Sequence, residues 1–300
     1  KKWDEAIIAY RKFIELNPNF PWSYHKLGEA LLQLKKWDEA IIAYRKFIEL
    51  NPDFPWSYHK LGTALLKLEK WDDAVKAYRR AIELKPNLYL PYKNLGDALT
   101  QLLKYSEAIT VYRQAIEIEP NIDVTYYNLG NALVKLERYS EAVVAYRQAT
   151  KINPNSSLSY NQLAAALVRL AEVDKTRKFD IYTEAIVCYN TLIKFQPKQI
   201  ENYHKLAEIL QNQGKFEAAI DIYIQAIELK PDLPWSYNNL GETLMKLKRR
   251  NSAIFTFLTS LNIEQNRPWI YQKLGEALGQ ISQGNLENKI TYYSQAMQNH

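Results

Sequence analysis

The chain has 300 residues, a formal net charge of +6, 47% hydrophobic residues and a single cysteine, Cys188. These values exclude a disordered chain and an intramolecular disulfide, and no apolar run reaches the ~18–20 residues that a membrane-spanning helix needs. So small a charge permits acidic partners but does not indicate a nucleic-acid-binding protein. The lone cysteine favours a reducing compartment, so we expect a cytoplasmic protein.

A 34-residue period organises the chain from its first residue. Residues 1–34 and 35–68 are identical except at three positions, which are Asn19/Asp53, Glu29/Thr63 and Gln33/Lys67. The period predicts one array over residues 1–300, made of a half repeat at 1–20 and repeats at 21–54, 55–88, 89–122, 123–156, 157–199, 200–233, 234–267 and 268–300. Because the sequence starts in mid-repeat and its last repeat is irregular, we expect it to come from a longer array.

Each repeat predicts a pair of helices. In the first complete repeat, residues 22–34 and 37–50 carry apolar residues at helical spacing. Pro21 suits the first turn of a helix, and Pro52 ends the second helix. Gly28 and Ala40 are small where two helices must approach closely. One pair cannot bury its apolar face alone, so neighbouring pairs must stack and share a core.

The repeat at 157–199 is nine residues longer than the others. Its extra residues fall around positions 171–180, between the two predicted helices. Because turns accept insertions at little free-energy cost, we expect these residues to lengthen the ends of both helices or to form a loop at their turn.

The recurring pattern is Tyr-x2-Leu-Gly-x2-Leu, then Ala-x3-Tyr, then Pro, as in Tyr24, Gly28, Ala40, Tyr44 and Pro52. This pattern resembles the tetratricopeptide repeat family over essentially the whole chain. The resemblance implies an all-α fold in which antiparallel helix pairs stack into a right-handed superhelical solenoid. It also implies that the first helices line a concave groove, which in the family commonly holds an extended or helical peptide.

The resemblance places the second, fifth, sixth and ninth residues of each repeat in this groove. These positions vary between repeats, whereas the packing positions do not. The predicted ligand-binding residues are Trp22, His25, Lys26, Glu29, Trp56, His59, Lys60, Lys93, Asn94, Asp97, Tyr127, Asn128, Asn131, His204, Trp235, Asn238, Asn239 and Trp269.

Four of these residues, Trp22, Trp56, Trp235 and Trp269, are the strongest candidates. Amphipathic aromatic side chains are typical anchors of binding surfaces. The alternative interpretation is that each tryptophan packs on the end of the preceding helix.

Three asparagines, Asn94, Asn128 and Asn239, resemble part of the asparagine ladder with which some transferase-linked members of the family hold a peptide backbone. An amide both donates and accepts hydrogen bonds, which suits main-chain recognition. The alternative is that they are solvated polar residues of the helices. Asp97 follows Lys93 by one turn, which breaks the lysine–asparagine clamp of chaperone-binding members.

Arginines recur at one position of the second helices. In the first four cases, a glutamate follows four residues later. Pairing within each helix predicts a charge-balanced outer face rather than a nucleic-acid site. The arginines are Arg11, Arg45, Arg79, Arg113 and Arg147, and the glutamates are Glu15, Glu49, Glu83 and Glu117.

No catalytic residue, cofactor or metal site is predicted. His25, His59 and His204 recur through repeat duplication, and neither an HExxH motif nor a Cys/His cluster is present. Cys188 lies among packing residues and is interpreted as a small core residue.

The predicted function is therefore a non-enzymatic scaffold that binds a protein or peptide segment in the groove. A second hypothesis is that the chain is the substrate-recruiting arm of a larger enzyme, such as a sugar or sulfate transferase. A third is self-association through the end repeats, whose apolar faces lack a neighbour.

Overall fold

The computed structural model describes residues 2–279, and all regular structure in that range is helical. Contacts between neighbouring elements divide the chain into two compact units, residues 1–155 and 156–300, which are described separately. The predicted fold class, an all-α solenoid of antiparallel helix pairs, is confirmed.

Unit 1 contains one unpaired helix followed by four helix pairs. A first helix of 13 residues and a second helix of 14 residues form each pair. The helices are α1 (Lys2–Leu16), α2 (Pro21–Gln33), α3 (Trp37–Leu50), α4 (Pro55–Lys67), α5 (Trp71–Leu84), α6 (Tyr89–Gln101), α7 (Tyr105–Ile118), α8 (Asp123–Lys135) and α9 (Tyr139–Ile152).

Unit 2 repeats this arrangement with three pairs and one further first helix. Its helices are α10 (Ser157–Val173), α11 (Lys178–Phe195), α12 (Ile200–Asn212), α13 (Phe216–Leu229), α14 (Pro234–Lys246), α15 (Arg250–Ile263) and α16 (Pro268–Gly279). The remainder of the predicted repeat at 268–300 lies outside the described residues.

The extra residues of the long repeat lie where they were expected, at the ends of its two helices. Helices α10 and α11 have 17 and 18 residues, so both are longer than their counterparts. A short turn joins them, in which Asp174 accepts hydrogen bonds from Thr176 and from the backbone and side chain of Arg177. These hydrogen bonds lower the pKa of Asp174 to about 2. The extra residues therefore extend two helix ends.

The core explains why glycine recurs in the first helix. A Cβ atom placed on Gly28 would lie 2.7 Å from the ring of Tyr44, and one on Gly130 would lie 2.5 Å from the ring of Tyr146. Both tyrosines are fully buried. The small residue is needed because an aromatic ring of the second helix covers it, which refines the expectation of close helix approach.

Candidate binding surface

The first helices of unit 1 lie side by side, because α2 contacts α4, α4 contacts α6 and α6 contacts α8. Their exposed side chains form a continuous surface, here called the first-helix face. The second and sixth repeat positions contribute exposed or half-buried side chains, among them Trp22, Lys26, Trp56 and Lys60. These four predicted residues therefore reach solvent, whereas three histidines of the predicted site do not.

Three histidines at the fifth position lie inside the contacts between repeats. His25, His59 and His204 are 6%, 5% and 1% exposed. His25 Nδ1 lies 3.0 Å from Ser57 Oγ, and His204 Nε2 lies 2.8 Å from Ser236 Oγ. A serine two residues into the next first helix leaves room for the imidazole. These histidines therefore join neighbouring repeats rather than face solvent.

Burial also sets the charge of these histidines. Desolvation lowers the pKa of His59 and of His204 to about 4. The pKa of His25 is lowered by the same cause, although Glu29, whose Oε1 lies 3.5 Å from the ring, opposes the shift. Since an imidazolium in this environment loses its hydration, all three are neutral at pH 7.

The tryptophans combine packing with exposure. Trp22 stacks edge-on against Phe47 and Phe54, with ring centroids 5.4 and 5.0 Å apart, and yet remains 42% exposed. Trp235 packs at 4.0 Å on His204 and is also 42% exposed. The packing interpretation therefore holds for one edge of each ring, and the other edge remains accessible.

The asparagine ladder is bonded to neighbouring repeats in unit 1. Asn94 donates to His59 Nε2 at 3.0 Å, and Asn128 donates to Asp97 Oδ1 at 2.9 Å. Asp97 also accepts from Tyr112 at 2.8 Å and pairs with Lys93 at 2.6 Å. These half-buried amides are therefore committed to joining first helices, which limits how freely they can hold a peptide backbone.

The remaining candidates divide between buried and accessible positions. Asn131 accepts from Tyr146 at 2.7 Å, and the ring of Tyr127 is half-buried against Tyr146. In unit 2, Asn238 is fully buried, while Asn239 is half-buried and Trp269 is 38% exposed.

Two cavities open on the first-helix face of unit 1. One, of 380 Å³, is lined by Trp3, Tyr10, Lys26, Glu29, Leu32, Gln33 and Lys60. The other, of 460 Å³, is lined by Leu66, Lys67, Glu69, Trp71, Asp97, Thr100, Gln101, Tyr112, Asn128 and Asn131. Trp3, Gln33, Lys67 and Trp71 are among the lining residues that were not predicted from the sequence. Two of them could have been found, because Gln33 and Lys67 form one of the three differences between residues 1–34 and 35–68.

The arginines of the outer face have other partners than predicted. The arginines were expected to pair with the glutamate four residues later, but Arg79 binds Glu107 at 2.7 Å and Arg113 binds Glu141 at 2.6 Å, on the second helix of the next repeat. Glu83 is instead bound by Arg80 at 3.0 Å. Arg11 likewise binds Glu39. These three arginines therefore link repeats, whereas Glu15, Glu49 and Glu83 pair within their own helices with Lys12, Lys46 and Arg80.

Within residues 2–279, no three His, Cys, Asp or Glu side chains lie close enough to hold a metal ion. None of the described helices has the length and apolar character that a bilayer span requires. Cys188 is 3% exposed, which confirms that it is a core residue.

Stacked pairs of short helices, with a core shared between neighbours, define an α-helical repeat protein. Models described as "TPR repeat" or "Tetratricopeptide repeat" match residues 28–69, 96–136 and 212–248, residues 55–88 and 124–156, residues 9–42, and residues 236–267. The chain belongs to the tetratricopeptide repeat family.

Solved structures show the same fold. YrrB, described as a TPR protein with an unusual peptide-binding site, is 20% identical with a TM-score of 0.54, over 66% of this chain and 97% of that one. MamA is 27% identical with a TM-score of 0.50, over 52% of this chain and 91% of that one. The complex of Naa15/Naa10 bound to HypK-THB contains a chain that is 17% identical with a TM-score of 0.64. The match covers 93% of this chain and 42% of that one. No curated protein sequence matches the chain.

Proposed function

We propose that this chain is a protein-interaction scaffold that binds a peptide segment along the first-helix face. Membership of the tetratricopeptide repeat family supports an interaction scaffold in general. The observation that carries the finer proposal is the pair Trp22 and Trp56, which stand at the same position of adjacent first helices. Trp22 is held against Phe47 and Phe54 while more than a third of it remains exposed.

A rigid, partly exposed aromatic ring suits binding because little side-chain entropy is lost when a partner covers it. Stacked first helices repeat at ~10 Å, close to the usual packing distance of helices. An extended peptide advances ~3.3 Å per residue, so every third residue can meet the next repeat. A segment with apolar residues at that spacing would contact both rings.

The test starts from peptides selected on the full chain out of a random display library. Replacing Trp22 and Trp56 together by Ala should weaken binding of the selected peptides by more than ~2 kcal/mol. Isothermal titration measures the affinity, and circular dichroism checks that helicity is retained.

The control removes exposed apolar side chains from another face. Ile8 and Ile42 are 67% and 69% exposed on second helices, so replacing both by Ala should leave affinity unchanged. If the tryptophan variant stays folded and binds as tightly as the parent chain, or if both variants lose affinity equally, the first-helix face is not the binding surface.

Self-association through the end repeats stays a prediction. Trp3 and Phe13 of α1 are 47% and 43% exposed, whereas Phe47, the counterpart of Phe13 in α3, is fully buried. This apolar surface gives the prediction its physical basis.

A further inference from the structure

The two near-identical segments, residues 1–34 and 35–68, differ mainly in the charge of their first helices. Two of the three differences, Glu29/Thr63 and Gln33/Lys67, lie in these helices. Each replaces a residue of α2 by one that is more positive by one charge in α4. Helix α4 therefore carries Lys60 and Lys67 and no acidic residue.

The lysines of α2 and α4 differ accordingly in their partners. Lys26 pairs with Glu29 at 2.9 Å, three residues later on the same helix. Lys60 has Thr63 at that place, and Thr63 instead donates to the backbone oxygen of His59. Among the described residues, no carboxylate lies within ion-pair distance of Lys60 or Lys67.

Two of the three acidic residues that line these cavities, Glu29 and Asp97, are already engaged, and the third, Glu69, forms no ion pair with Lys67. Glu29 shares the 380 Å³ cavity with Lys60 but is bound by Lys26. Asp97 shares the 460 Å³ cavity with Lys67 but is bound by Lys93, and it accepts from Asn128. Helix α4 thus presents two ammonium groups, one to each cavity, and neither forms an ion pair with a described carboxylate.

We propose that α4 is the acidic-residue subsite of the first-helix face, where Lys60 and Lys67 bind carboxylates of an acidic peptide. This inference rests on the proposed function and names the chemistry of its ligand. Seven residues along a helix span about 10 Å. A polyproline-II segment presents the same face every three residues, or ~9.3 Å, so acidic residues at that spacing match the two lysines.

The surroundings favour a peptide over a nucleic acid. Trp3 and Tyr10 line the cavity of Lys60, and Trp71 lines that of Lys67, which gives each lysine an aromatic neighbour for apolar side chains. Glu29, Glu69 and Asp97 line the same cavities. These carboxylates would repel an uninterrupted row of phosphates, whereas a peptide can place neutral residues opposite them.

The variant Thr63→Glu/Lys67→Gln tests the proposal, because it gives α4 the residues that α2 already carries at these positions. The probes are synthetic peptides of equal length that repeat Glu-Ser-Leu, Gln-Ser-Leu or Lys-Ser-Leu, and binding is followed by fluorescence anisotropy at low ionic strength. The parent chain should bind the Glu peptide more tightly than the other two. The variant should lose about tenfold in affinity for the Glu peptide, and the loss should shrink as salt is added.

The reciprocal variant, Glu29→Thr/Gln33→Lys, gives α2 the residues of α4 and should tighten binding of the Glu peptide. Equal binding of the Glu and Gln peptides, or unchanged Glu-peptide affinity in Thr63→Glu/Lys67→Gln, would overturn the proposal. So would an oligothymidine that binds more tightly than the Glu peptide and loses affinity in the same variant. If the proposal fails while the library-selected peptides still depend on Trp22 and Trp56, only the ligand chemistry is wrong.

Discussion

At the scale of single residues, repeat position alone does not decide whether a side chain faces solvent. His25 and Lys93 share the fifth position, yet His25 is buried and Lys93 is only half-buried. His25 meets the small Ser57 of the next repeat, whereas Lys93 pairs with Asp97 one turn later on its own helix. The sequence shows that Ser57 follows His25 by 32 residues, but it does not show the hydrogen bond between them.

The buried histidines predict a pH-dependent stability. With a native pKa of about 4 and an unfolded pKa near 6.5, His59 and His204 bind protons only in the unfolded state between those values. The free energy of unfolding is therefore greatest above pH 6.5 and falls as the pH drops toward 4. Each histidine should remove about 1.4 kcal/mol per pH unit within this window.

Urea denaturation at about pH 7.5 and pH 5 measures this change. Replacing His59 and His204 by Gln keeps hydrogen-bonding groups without a titrating ring. The double variant should lose much of the decrease that the parent chain shows. A parent chain equally stable at both values would refute the assignment.

At the scale of elements, the turn within each pair has a recurring geometry. The backbone N–H groups of Lys35 and Lys36 donate to the carbonyl oxygens of Leu32 and Leu31 at 3.0 and 2.9 Å. This pattern is a Schellman motif, whose fifth residue adopts a positive φ. Five repeats place a residue other than glycine there, and Leu103, with φ of 59°, is one of them.

Replacing Leu103 by Gly should stabilise the chain by about 1 kcal/mol, because glycine adopts a left-handed conformation without steric strain. The exposed leucine side chain, at 69%, contributes little packing in return. Chemical denaturation measures the effect. The matched control is Leu102→Gly, where φ is −79°, and it should destabilise the chain instead. Equal effects at both positions would contradict the turn assignment.

At the scale of the whole molecule, the sequence predicted the helices, the packing glycines and the site of the insertion. These features follow from a period that recurs along the chain, so each repeat supports the others. Partners across repeats were harder to predict. Arg79 pairs with Glu107 of the next repeat, while Glu83, four residues after Arg79, pairs with Arg80. The tryptophans were predictable as candidates, whereas their partial burial depends on rings from two other segments.

In the proposed function, a partner segment lies on the first helices of unit 1. The most direct measurement is photo-crosslinking of a library-selected peptide that carries a light-activated residue, followed by mass spectrometry of the linked fragments. We expect crosslinks on α2, α4 and α6, near Trp22, Trp56 and Lys93. Crosslinks confined to the second helices, around Ile42 and Val144 on the outer face, would contradict it.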